Sequence, residues 1–144
     1  IGQIIATRSS ISGAAGGCQA EIGSASSMAA GALTYLQGGN CEQIATAAAM
    51  AMKNLLGLVC DPVAGLVEVP CVKRNVIGTV NAMACADMAM AGIVSRIPPD
   101  QVMDAMKEVG DKMDASLRET ALGGLAQTDE GMKIAEKMHA SYEN

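Results

Sequence analysis

Apolar residues recur at helical spacing along most of this chain. Ile22, Ala25, Ala29, Leu33 and Leu36 predict a helix over about residues 18 to 37, which Gly38 and Gly39 should stop. Asn40 reads as an N-cap, with Gln43 at the reciprocal capping-box position. Together they open a second helix over about residues 41 to 56, with Gly57 placed to end it. From Leu58 to Pro70, Pro62, Gly65 and Pro70 alternate with Val59, Val63, Val67 and Val69, so a loop with at most a short extended piece is expected. A third helix over about residues 72 to 94 carries Ala82, Cys85, Ala86 and Ala89, a small-residue stripe that should be buried. Pro98, Pro99 and Asp100 restart the chain, and Val102, Met106, Val109 and Met113 mark a fourth amphipathic helix over about residues 100 to 117. Glu119 to Gln127 contains Gly123 and Gly124 and reads as a loop, after which Thr128 caps a short last helix to about Tyr142.

Composition adds that the helices pack closely. Half of the 144 residues are apolar, yet there are two Tyr, no Phe and no Trp, against 11 Met. Small and flexible side chains let helices approach, and the length suits one domain with a sizeable core. The net charge of -5 and a pI near 4.7 argue against a nucleic-acid surface. Lys73 and Arg74 form the only basic cluster. No apolar run is long enough for a membrane span without Gly, Ser or charge, and no basic segment precedes a signal-type apolar core. A soluble cytoplasmic protein is the expectation. The chain starts at Ile1 and enters apolar sequence at once, as a piece of something longer would.

Candidate chemistry rests on cysteine. Five cysteines are an odd number, which disfavours a complete disulfide framework and fits reduced thiols. Cys18 closes the glycine-rich ISGAAGGCQAEIG, and Cys60 and Cys71 bracket the bend in VCDPVAGLVEVPCVKRN. Cys18 and Cys71 stand where helices should begin, and helix N-termini stabilise thiolates. There is no CxxC pair, and the single histidine, His139, lies far along the chain, so zinc is a weaker reading than an iron–sulfur cluster. Inert buried thiols are the commoner alternative on spacing alone. Cys85 falls among alanines and reads as core. Cys41 follows an N-cap and could be activated as readily as Cys18. His139, near Lys137 and Glu143, reads as a solvated surface residue. Lys73 and Arg74 oppose the dipole of the helix they start, which either a nearby anion or an ordinary solvated pair would explain.

Read together, SISGAAGGCQAEIGSASSMAAGALT and GLVCDPVAGLVEVPCVKRNVIG resemble the iron–sulfur-dependent bacterial L-serine dehydratases, in the carboxyl-terminal part of their catalytic α unit, from Ile1 to about Ala126. The resemblance implies that Cys18, Cys60 and Cys71 hold a [4Fe–4S] cluster with one iron left free of cysteine as a Lewis acid, and that Cys41 and Cys85 are not ligands. It implies an all-α fold, a multi-helix bundle with a Pro/Gly-rich cluster-binding loop forming a single domain over residues 1 to 144. The implied reaction is deamination of L-serine to pyruvate and ammonia by β-elimination without pyridoxal phosphate. Ser12, Gly13, Lys73 and Arg74 become candidate substrate contacts. The general base is expected outside this chain, in the remaining α-unit residues or in a β unit or domain, and a homo-oligomer is expected. Some members end in a cysteine that reaches the active site, whereas this chain ends in SYEN and has no cysteine after Cys85. The alternatives are a related cysteine desulfidase, a non-catalytic iron–sulfur redox or sensor module, and a helical interaction domain with ordinary thiols.

Overall fold

A computed structural model describes residues 1–142 of the chain. Among them are seven α-helices: α1 (Gly2–Arg8), α2 (Gly13–Gly16), α3 (Ser24–Leu36), α4 (Cys41–Lys53), α5 (Cys71–Met90), α6 (Pro99–Lys112) and α7 (Asp129–Tyr142). No strand occurs among the described residues, only an isolated bridge between Cys60 and Arg118. The fold is therefore all-α, as the periodicity predicts.

The helices α3, α4 and α5 pack on one another around Ala30, Ala47, Met50, Ala51, Ala82, Cys85 and Ala89. The small-residue stripe of α5 is buried as expected. Side chains this short bring backbones close enough for hydroxyls on one helix to reach carbonyls on the next. Ser27 Oγ donates to Ala48 O at 2.9 Å and Ser26 Oγ to Gly78 O at 2.7 Å. Asn81 on α5 donates to Ser26 Oγ and Ala51 O, both at 2.9 Å, and accepts from Asn54 Nδ2 at 2.7 Å. These bonds satisfy the polar groups that the close packing buries.

A second cluster joins α1, α4 and α6 through Ile5, Ala49, Met52, Val102, Met103 and Met106. Arg8 clamps it at the surface with two bonds to Asp104, at 3.1 and 2.7 Å. Only Ile5 of α1 is buried, which is too little periodicity to announce a helix in the sequence.

The capping box is present as predicted: Asn40 Oδ1 accepts from Gln43 N at 2.9 Å, and Gln43 Oε1 accepts from Asn40 N at 3.0 Å. Several ends differ. The helix expected from residue 18 begins as a π-helical turn, Gln19–Gly23, before α3 proper. The helix α4 stops at Lys53, and Gly57 at φ +84° belongs to the turn beyond. The helix α5 starts one residue early, at Cys71, and stops at Met90, because Gly92 at φ +84° turns the chain. The helix α6 stops at Lys112, since Met113 is extended and Asp114 caps the separate 3₁₀ turn Ala115–Leu117 through Ser116 N at 2.8 Å. No helix among the described residues is long and apolar enough to cross a membrane. Of the SYEN end, Glu143 and Asn144 lie outside the described residues.

Candidate metal centre

Three irregular segments converge at one end of the bundle, each fixed by backbone contacts. Cys18 follows Gly17, whose φ of +77° and close approach to Leu58 O leave no room for a side chain. Gln19 then donates from its backbone to Leu58 O at 2.8 Å, donates from Nε2 to Met106 O at 2.9 Å and accepts from Gly57 N at 2.9 Å. One buried amide thus locks the start of the π-turn to α6 and to the strand of chain leading into Cys60. Cys60 itself is clamped on both backbone sides, donating to Leu117 O and accepting from Glu119 N, each at 2.8 Å. Cys71 is the first residue of α5, with Pro70 at the N-cap position.

The three cysteines are withdrawn from solvent, at 1 % exposure for Cys18, 2 % for Cys60 and 3 % for Cys71. They sense one another. Burial pushes all three thiols up from their ordinary range. At Cys18, hydrogen bonds to Cys60 and Arg74 and the Arg74 charge partly oppose this. Cys60 is raised most, by burial first and then by its hydrogen bond to Cys18 and the neighbouring negative charges. At Cys71 burial comes first, then the charge of Cys18, with Arg74 pulling back. The cradle therefore favours neutral thiols until a cation replaces the protons.

Arg74 supplies the fixed positive charge. Its Nη1 donates to Asp61 Oδ1 at 2.6 Å and to Val59 O at 2.9 Å, and Asp61 Oδ2 accepts from Leu125 N at 2.7 Å. Burial depresses the guanidinium, but the Asp61 hydrogen bond and the charges of Asp61 and Cys18 outweigh it, so its pKa rises. The neighbouring Lys73 is exposed and makes no ion pair among the described residues. The basic pair thus divides, one member built into the cradle and one facing solvent.

Gly13 is buried against the site: a Cβ there would lie 3.3 Å from Cys60 Sγ, 3.1 Å from Glu21 Oε2 and 3.5 Å from Glu119 Oε2. Any side chain would fill the space beside the sulfur. Ser12 is exposed and occupies the N-cap position of α2 without a side-chain cap bond. Backbone strain gathers here as well, with Ala64, Glu119 and Ala121 at φ of +56°, +65° and +57°. Such left-handed residues cost about 1–3 kcal/mol each and persist where the surroundings dictate them.

The other thiols stand apart. Cys41 is exposed, and Cys85 is fully buried in the bundle core beside Asn54 and Asn81. His139 is exposed on α7 and lines a surface cavity of about 540 Å³ with Ala64, Ala121 and Met132. Sequence reasoning missed Asp61, Gln19, Glu21 and Glu119. Only Asp61 left a signal, an acid wedged between Cys60 and Pro62 in an otherwise apolar loop.

Among the described residues no set of three or more His, Cys, Asp and Glu side chains is disposed around a single metal ion. A lone zinc needs its ligands about 2.3 Å from one point, whereas an iron–sulfur cluster spreads its thiolates over separate irons. A cysteine-only donor set, a half-buried arginine and a side-chain-free space beside Cys60 fit the cluster.

Comparison with known proteins places the chain beside a set of bacterial relatives. The family model described as serine dehydratase alpha chain matches residues 1–126. A probable L-serine dehydratase alpha chain of Bacillus subtilis (strain 168) is 61% identical over 137 residues, 95% of this chain and 46% of the relative. The probable alpha chain of Latilactobacillus sakei is 61% identical over 133 residues, 92% of this chain and 64% of the relative. The L-serine dehydratase alpha chain of Peptoniphilus asaccharolyticus is 54% identical over 134 residues, covering 93% of this chain and 46% of the relative. The chain thus spans about half to two thirds of these relatives.

Proposed function

Since the chain belongs to the serine dehydratase alpha chain family, we propose that it is the cluster-bearing part of an L-serine dehydratase, working with further α-unit residues and a β unit. The observation that carries this reading is the convergence of Cys18, Cys60 and Cys71, all buried, around a guanidinium fixed by Asp61. These three cysteines would hold a [4Fe–4S] cluster. When bound, the cluster supplies a Lewis acid for the departure of hydroxide in the β-elimination of L-serine to pyruvate and ammonia, and no pyridoxal phosphate is needed.

The chain's own residues prepare that chemistry. Arg74 offsets the negative charge of the thiolates, and Asp61 keeps it from swinging out to solvent. Burial of the sulfurs excludes water and lowers the local dielectric, which strengthens the Arg74 field. Gly13 keeps open the space beside Cys60, with Ser12 at its rim. Lys73, next to Arg74 and exposed, would offer its ammonium to the substrate carboxylate or to an acidic group of the further α-unit residues. The base that removes the α-proton comes from outside this chain, since His139 is exposed on α7 and no contact joins it to the three cysteines among the described residues. Because the thiols must lose their protons, cluster loading should strengthen as pH rises.

The test is iron and sulfide analysis of the complete α and β protein purified without air, with a pyruvate assay. Cys60→Ser should lose the cluster and the activity, and Cys85→Ser should keep both. Equal iron in the two variants, or activity that requires added pyridoxal phosphate, would overturn the reading.

A further inference from the structure

An acidic side chain at the metal centre has nothing to balance it. Glu21 stands on the π-turn between Cys18 and α3, with its Oε2 and the Cys60 sulfur in contact distance of one point beside Gly13. Among the described residues it forms no ion pair, and the nearby cation, Arg74, is committed to Asp61. Glu21 is exposed, so its carboxylate is open to a cation arriving from outside.

The other side of Glu21 opens onto a cavity of about 440 Å³ lined also by Ile11, Ser24 and Met28. Ser24 is 3% exposed, and its hydroxyl oxygen has no hydrogen-bond partner. A buried hydroxyl without a partner is destabilising, and a ligand in the cavity would remove that penalty. Gln3 adds one further polar side chain, and the rest of the lining, Gly2, Ala6 and Ala25 with Ile11 and Met28, is apolar.

Resting on the reading of the chain as part of a serine dehydratase, we propose that Glu21 and Ser24 bind the α-ammonium group of the amino-acid substrate. A primary ammonium carries three donors and no acceptor. Two carboxylate oxygens and one hydroxyl oxygen receive them. Because Glu21 faces both the cavity and the cysteines, an amino acid anchored by its ammonium presents its remaining groups toward the sulfurs. Glu21 is thereby a specificity residue, which separates amino acids from hydroxy acids of the same size.

Two unreactive ligands test this on the complete, cluster-loaded enzyme: L-alanine, which keeps the ammonium, and 3-hydroxypropanoate, which lacks it. Calorimetry of Glu21→Gln should show L-alanine weakened about 10- to 100-fold, the range of a charged hydrogen bond, with 3-hydroxypropanoate bound as tightly as before or more so. Ser24→Ala should weaken L-alanine alone, by less. The KM for L-serine should rise in both variants while iron content holds. Equal weakening of both ligands, or unchanged L-alanine binding in Glu21→Gln, overturns the ammonium site. Either outcome leaves the serine dehydratase reading standing. Wild-type enzyme that forms no pyruvate from L-serine overturns that reading itself.

Discussion

Ala47 on α4 and Ala86 on α5 are each one of many interchangeable contacts in the α3–α4–α5 bundle, whereas around Cys60 almost every contact is made once. The bundle holds by repetition of small buried side chains at helical spacing. The cysteine end holds by single bonds between distant segments: Asp61 to Arg74 and to Leu125, Gln19 to Met106 and Gly57, Cys60 to Leu117 and Glu119. Losses in the first region are shared among neighbours. In the second they strand a partner.

Substitutions can break this contrast. The largest expected effect is at Asp61, where Asp61→Ala leaves the Arg74 guanidinium, 16% exposed, without its carboxylate and the Leu125 amide without an acceptor. Breaking a buried pair from one side costs about 3–5 kcal/mol, so denaturant unfolding should show the cysteine end loosened by that order. A loss under about 1 kcal/mol would mean that water replaces the carboxylate, as at an exposed pair.

Gly124 comes next. Its φ is +61°, and a Cβ there would press on the Asp61 carboxylate. Gly124→Ala combines left-handed strain of about 1–3 kcal/mol with displacement of that carboxylate from Leu125 N. Hydrogen exchange at Leu125 should accelerate while the amides of α4 keep their protection.

The bundle's own thiol gives a smaller, pH-dependent effect. Burial raises Cys85 from the ordinary 9.0, so the folded state keeps its proton where the unfolded chain loses it. Its stabilising contribution is complete below pH 9 and is lost as pH rises beyond, by about 1.4 kcal/mol per unit at most. Wild type should therefore lose stability relative to Cys85→Ala above pH 9 and run parallel to it below. A growing difference on the acid side would reverse the sign and the explanation.

The smallest change is Asn40→Ala, which removes the α4 capping box for about 1 kcal/mol. If it cost as much as Asp61→Ala, the bundle would be no more tolerant than the site.

The two regions also differ in how far the sequence discloses them. Ala82, Cys85, Ala86 and Ala89 announce a buried face because burial follows the helical period, and Asn40 with Gln43 announces a start through local chemistry. Both are short-range signals. The loop limits from Leu58 to Pro70 were legible for the same reason. What Asp61, Gln19 and Gly13 do was not, since their partners Leu125, Met106 and Glu119 are chosen by tertiary contact and leave no spacing behind. The π-turn at Gln19–Gly23 hid within an ordinary helical pattern. Lys73 and Arg74 looked equivalent because the direction a side chain takes from α5 depends on the loop it meets.

The clamp on Cys60 has a consequence for how the protein is made. Leu117 and Glu119, which grip its backbone, emerge from the ribosome well after it, on the order of several seconds at about 5–20 residues per second. Through that interval Cys18, Cys60 and Cys71 have all been synthesised, yet the pocket that shields them has no far wall. Oxidants have their best access to the three thiols before the later segment arrives. Stalled nascent chains ending short of Leu117 should therefore be alkylated readily at Cys60, and chains extended past Leu125 should be protected.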